Sequence, residues 1–145
     1  MGKLLTALLV IGAVLMGCET EEIGEDGGNG GTLTNVDLFH GYYDVGPGYH
    51  FRLKFRARKG DTLYFEARVR DGDGNINYAF WADSVNYVKW LNDDSTFSLR
   101  GYTEEIQRIS YTPALDSAVY YVVLGNSSSI TTKRFWIRAY LRGLR

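Results

Sequence analysis

From residue 51 to residue 58 the odd positions are apolar and the even positions are cations: Phe51, Leu53, Phe55 and Ala57 alternate with Arg52, Lys54, Arg56 and Arg58. Side chains of an extended chain point to opposite faces in turn, so a period of two describes a strand with one face on a core and one in water. The alternation returns where Leu63, Phe65, Ala67 and Val69 are interleaved with Tyr64, Glu66, Arg68 and Arg70. It appears again near the C-terminus, where Phe135, Ile137, Ala139 and Leu141 are interleaved with Arg134, Trp136, Arg138, Tyr140 and Arg142. These are three half-buried strands.

Less regular strands are expected over 36–43, 76–82, 95–100, 106–111 and 119–124. The last has apolar or aromatic residues on both sides and reads as a central strand covered twice. Between these runs lie turn formers: Gly46-Pro47-Gly48, Lys59-Gly60-Asp61, Asp71-Gly72-Asp73-Gly74-Asn75, Asn92-Asp93-Asp94, Thr112-Pro113 and Gly125-Asn126-Ser127-Ser128-Ser129. No long window has helical spacing, although 86–91 fits a single helical turn. Seven or eight short strands punctuated in this way predict an all-β fold, an antiparallel β-sandwich of jelly-roll type. Residues 32–145 suffice for one such domain without metals or disulfides.

The N-terminus has a different logic. One charge, Lys3, precedes an apolar run from Leu4 to Met16. That run is shorter than the roughly 20 residues of a membrane span and has the layout of a secretory signal. Leu15-Met16-Gly17-Cys18 resembles the lipobox of bacterial lipoproteins, in which a small residue precedes a cysteine that is lipidated on sulfur and becomes the new N-terminus. The resemblance implies a signal peptide over 1–17 and a lipid anchor at Cys18. The alternative is an ordinary secretory signal with an incidental cysteine. Cys18 is the one cysteine of the chain, so no disulfide is expected, and lipidation would consume a thiol that is otherwise a liability in an oxidising compartment. Two or three acyl chains, at about 0.8 kcal/mol per buried methylene, anchor stably where one does not. Glu19 after the cysteine favours, by resemblance to enterobacterial sorting, the outer membrane.

Residues 18–31 continue as a lipidated cysteine and an acidic, glycine-rich tether. From Glu19 to Gly31 there are five acids, no base and one apolar side chain, Ile23, too little to bury against anything. As a flexible coil it spans about 20 Å. With the acids set aside in the tether, the domain has 15 Lys or Arg against 12 Asp or Glu, a net charge of +3 that the chain total of −1 conceals. That excess is too small to demand a nucleic acid, a poor partner outside the cytoplasm.

Three segments, Gly60-Asp61-Thr62-Leu63, the run from Asn77 to Asp83 leading to Asn86-Tyr87-Val88-Lys89-Trp90, and Tyr120-Tyr121-Val122-Val123-Leu124-Gly125-Asn126, resemble the β-sandwich domains of the GOLD and pre-peptidase C-terminal groups. Ser117-Ala118 stands where that family often has glycine. The resemblance implies a sandwich that binds or assists folding without catalysing.

Candidates for chemistry are sparse. There is no Gly-x-Ser-x-Gly elbow, and the only neutral-pH bases are His40 and His50, which read more readily as ordinary polar residues than as catalytic ones. Asp71, Asp73 and Asn75 place oxygens at alternate positions, as calcium loops do, but Ile76 stands where an EF-hand needs glycine and the later glutamate is missing. A plain hairpin turn is favoured, and no metal or cofactor is expected. The best binding candidate is the outward face Arg134, Trp136, Arg138, Tyr140 and Arg142, together with the cations Arg52, Lys54, Arg56 and Arg58. Arginines among aromatics either pair with one another or present rings and charges to an anionic glycan, a lipid head group or an envelope protein. The expectation is a non-catalytic lipid-anchored protein of the cell envelope; the alternative is a calcium-dependent module or an accessory domain of a secreted hydrolase system.

Overall fold

The computed structural model describes residues 31–145, so the expectations for the signal segment, for Cys18 and for the tether up to residue 30 lie outside the described residues. The described elements are β1 (Leu33–Val45), β2 (His50–Ala57), β3 (Thr62–Val69), β4 (Ile76–Asp83), α1 (Ser84–Leu91), β5 (Arg100–Ile106), β6 (Arg108–Tyr111), β7 (Ala118–Gly125) and β8 (Lys133–Leu144). They form two four-stranded antiparallel sheets in the orders β1-β8-β3-β6 and β2-β7-β4-β5. Apart from β4 and β5, consecutive strands lie in different sheets, and the first strand pairs with the last: this is the jelly-roll winding expected from the strand pattern.

The alternation decides what fills the sandwich. Phe51, Leu53 and Phe55 of β2, Leu63 and Phe65 of β3, and Phe135, Ile137, Ala139 and Leu141 of β8 all turn inward and are buried. Truncating any of the buried phenylalanines to alanine would cost roughly 3–5 kcal/mol through lost transfer energy and the cavity left behind.

Two buried polar residues pin the ends. Asp61 is 2% exposed and takes a bidentate pair from Arg145 at 2.8 and 3.0 Å, while the amide of Arg58 donates to it at 2.8 Å. A Cβ on Gly143 would collide with the Asp61 carboxylate, so any larger residue there would displace the group that Arg145 and the Arg58 amide hold. At the other end Asn126 donates to the carbonyls of Val45, Gly46 and Thr131 and accepts from the Ser128 amide, joining two neighbouring loops. The chain enters beside its own C-terminus, where Thr32 and Arg145 exchange backbone hydrogen bonds of 3.1 and 3.0 Å.

The two sheets differ on their outer sides. Phe80 and Ala82 of β4 and Val123 of β7 point away from the main core into a second one, closed by Tyr87 and Trp90 of α1. The helix is longer than the single turn expected. Asp83 caps it by accepting from the Asn86 amide at 2.9 Å, Lys89 sits in its last turn, and Tyr87 and Trp90 fall on one face. Strand β7 is thus covered on both sides, as its sequence indicates.

One expected strand is wrong. Residues 95–99 of the expected 95–100 are not a strand but a cover for the second core, with Phe97 and Leu99 packed on it and the Ser98 amide bonded to Asn86 at 2.8 Å, and only Arg100 belongs to a strand. A loop draped over an apolar patch shows the same alternation as a strand. The strand itself comes next, β5, mostly exposed and carrying Glu104 and Glu105. It lies at a sheet edge, where charged side chains discourage pairing with a second chain.

Candidate binding face

The outer side of the β1-β8-β3-β6 sheet has no helix over it. Strand register sets its side chains in rows. Across the sheet Tyr42 pairs with Trp136, Trp136 with Arg68 and Arg68 with Arg108, one residue from each strand. The next outward row is His40, Arg138, Glu66 and Ser110, and the one after is Asp37, Tyr140 and Tyr64. The Arg134, Trp136, Arg138, Tyr140 and Arg142 stripe therefore forms one column of a wider surface. Phe135 and Ile137, between them in sequence, are fully buried.

The rings on this face are largely occupied. The guanidinium of Arg68 lies over Trp136 at 5.0 Å, and His40 meets the indole edge-on at 6.0 Å. Tyr64 and Tyr140 stack at 4.8 Å with their planes 6° apart, and the Arg138 guanidinium sits 5.6 Å from the centre of the Tyr140 ring. Tyr42 is different, with 59% of its surface exposed. Arg134 is taken by Asp44 in a bidentate pair at 2.7 and 3.1 Å, and that hydrogen bonding holds the Asp44 carboxyl below its ordinary range.

A groove of about 910 Å³ opens at one end of the face, between Tyr42, Trp136, Arg68 and Arg108 and the turn after β3 that carries Arg70 and Asp71. A shallower depression of about 130 Å³ lies beside Tyr64, Tyr140 and Arg138. The groove is far from the point of chain entry: Tyr42 is nine residues further along β1 than Leu33, roughly 30 Å at strand rise.

The cations Arg52, Lys54, Arg56 and Arg58 do not join this surface. The first three project from β2 and Arg58 directly follows it, so they belong to the opposite sheet. Arg52 donates to the Tyr87 hydroxyl at 3.4 Å, beside His50, whose Nε2 lies 3.3 Å from the same oxygen. Burial, reinforced by Arg52, pushes His50 down to about 4. His50 is thus a neutral packing residue between Tyr87 and Trp90, while His40 is exposed on the open face. In the serine turn, Ser128 accepts from the amides of Ile130 and Thr131.

The Asp71, Asp73 and Asn75 turn is organised around an internal cation. Asp73 accepts from the Arg134 amide and from Arg70, each at 2.9 Å, and those bonds hold its carboxyl below the usual range. The Lys133 ammonium donates to the Asn75 carbonyl at 2.6 Å and to the Asn77 side chain at 2.8 Å. Asp73 is already engaged and a fixed positive charge stands behind the turn, so these residues do not fit a calcium ion. Among the described residues no group of three or more acidic, histidine or cysteine side chains is placed to hold a metal.

Tyr42, Tyr64, Arg68 and Arg108 were not singled out as site residues from sequence. For Tyr64 and Arg68 a signal existed, since they are the outward residues of the regular β3 alternation. Arg108 sits in a strand of four residues, too short to show a period. Comparison with protein-family models gave no match for this chain, and comparison with the curated proteins gave none either.

Proposed function

We propose that this chain is a non-catalytic lipoprotein of the cell envelope, anchored through Cys18, that uses the outer face of the β1-β8-β3-β6 sheet to bind a component of the envelope. The observation carrying this reading is the row Tyr42, Trp136, Arg68 and Arg108, contributed by all four strands and opening into a groove at the end of the sandwich away from chain entry. An anchor and tether ahead of β1 would leave that end directed away from the lipid surface. The jelly-roll scaffold accords with the proposed kinship to GOLD and pre-peptidase C-terminal domains, whose roles are binding and folding. Neither histidine nor the serine turn has the nucleophile, base and orienting group that covalent hydrolysis requires.

Two experiments test the parts separately. Cys18→Ser should leave an unprocessed or soluble product, and membrane retention with normal acyl labelling would remove the anchor. For the face, Trp136→Ala should weaken retention of the protein on isolated envelope while the domain still folds. Phe135→Ala, one residue away and inward, should mainly unfold it. Global unfolding by Trp136→Ala would show that no open face exists there.

A further inference from the structure

Accepting the open face as the binding surface, we infer that its groove is built for an oxyanion carried on an acidic glycan, held between Arg68 and Arg108. These two arginines are direct partners in the β3–β6 ladder. Like charges set opposite one another across a strand pair destabilise the pair. Among the described residues, neither has a carboxylate within ion-pair distance, whereas Arg70 pairs with Asp73, Arg134 with Asp44 and Arg145 with Asp61. The groove thus lines up two uncompensated guanidiniums, while Arg70 beside them is already neutralised by Asp73. Asp71 at the rim is the one acid lining it.

The rings explain how the arginines are used. A ring that binds a neutral sugar by stacking must offer a free face. Here the face of Trp136 carries Arg68, and the stacked Tyr64 and Tyr140 leave their remaining contact to Arg138. The aromatics therefore orient guanidiniums. A ring offers a guanidinium no hydrogen-bond acceptor of its own to take up the N–H fork, and that fork matches the two oxygens of a carboxylate, sulfate or phosphate. Tyr42, the ring left open beside Trp136, supplies an apolar wall for the sugar that bears the anion. A further guanidinium, Arg138, lies two residues along β8 from Trp136, in line for another acidic unit of an extended chain. A glycan is preferred to the protein's own membrane because the groove lies at the end remote from chain entry.

The test uses the full chain with heparin, a glycan bearing both carboxylate and sulfate, as the probe. Loss of one charge-assisted contact in Arg108→Gln should weaken binding about tenfold. Lys59→Gln, the same change of charge in the exposed β2–β3 turn near chain entry, should leave binding within about twofold, as screening over that separation requires. The melting temperature of Arg108→Gln should be unchanged or higher, because removing one arginine relieves the cross-strand repulsion; a structural role for Arg108 predicts a fall. Equal weakening by both variants would reduce the effect to general polyelectrolyte attraction and overturn the site. No binding of heparin, with envelope retention still lost in Trp136→Ala, would overturn the oxyanion assignment and leave the binding face standing. Binding of phosphatidylglycerol vesicles with the same dependence on Arg108, and none of heparin, would place the oxyanion on a lipid and overturn the glycan.

Discussion

Both sheets carry aromatic side chains on their outer sides, and they use them in opposite ways. On the β2-β7-β4-β5 sheet, Phe80 is fully buried, Tyr121 stacks on Tyr87 at 3.9 Å, and Trp90 closes the cluster from α1. On the β1-β8-β3-β6 sheet, Trp136, Tyr64 and Tyr140 have no helix above them and are dressed with Arg68 and Arg138 instead. An outward aromatic under a helix is core. An outward aromatic beside guanidiniums and an open groove is, on the proposed reading, a surface arranged for a charged ligand. The same residue types thus stabilise one face and equip the other, and their partners decide which.

The largest expected contrast lies in stability. Phe80→Ala should lower unfolding free energy by roughly 3–5 kcal/mol in denaturant titration, since a fully buried ring leaves a cavity in the second core. Trp136→Ala on the open face should lower it by only about 1 kcal/mol, chiefly the contact with Arg68. Equal losses would mean that the two outer faces are buried alike.

A pH titration sharpens the comparison next. His50, on the covered side, is pushed from its ordinary 6.5 to about 4. The unfolded chain takes up a proton as pH falls through about 6.5 while the folded protein resists until about 4. The stability of the neutral ring is therefore complete above pH 6.5 and is lost across that window, by up to roughly 3 kcal/mol. In His50→Gln the decline between these pH values should be visibly shallower than in the unsubstituted protein. The same slope in both would show that His50 is not held neutral under the helix.

How much of this contrast could be read from sequence follows from where the period of two survives. In β2, β3 and β8 the inward residues are apolar except for Lys133 at the start of β8 and most outward ones are charged, so the strands, their facing and the separation of Phe135 from Trp136 were all legible. The cover over the second core was not. Phe97 and Leu99 alternate as a strand would, and only their packing against the second core identifies them as part of a lid. The groove was half legible for a different reason: its column on β8 is local in sequence, but the row that joins Tyr42, Trp136, Arg68 and Arg108 depends on register among four strands. Nothing local in the sequence reveals that Arg52, Lys54, Arg56 and Arg58 belong to the other side.

The smallest expected effect concerns the turn after β3 at the rim of the groove. Millimolar calcium, compared with a chelator, should leave the melting temperature of the full chain unchanged, because Lys133 and Arg70 already serve the oxygens of that turn. A rise of several degrees would turn the groove's rim into a metal site and redraw the open face.

The measurement closest to the central claim is retention of the full chain on isolated envelope in two variants that touch no core. Tyr42, 59% exposed, stands on the open face, and Val88, 49% exposed, stands on the helix that covers the other. Both alanine variants should melt with the unsubstituted protein. Tyr42→Ala should lose about tenfold in affinity, the scale of one stacked or partly desolvated aromatic contact, while Val88→Ala should bind as before. Unchanged retention in Tyr42→Ala, or loss in Val88→Ala alone, would contradict the account by moving binding to the covered side.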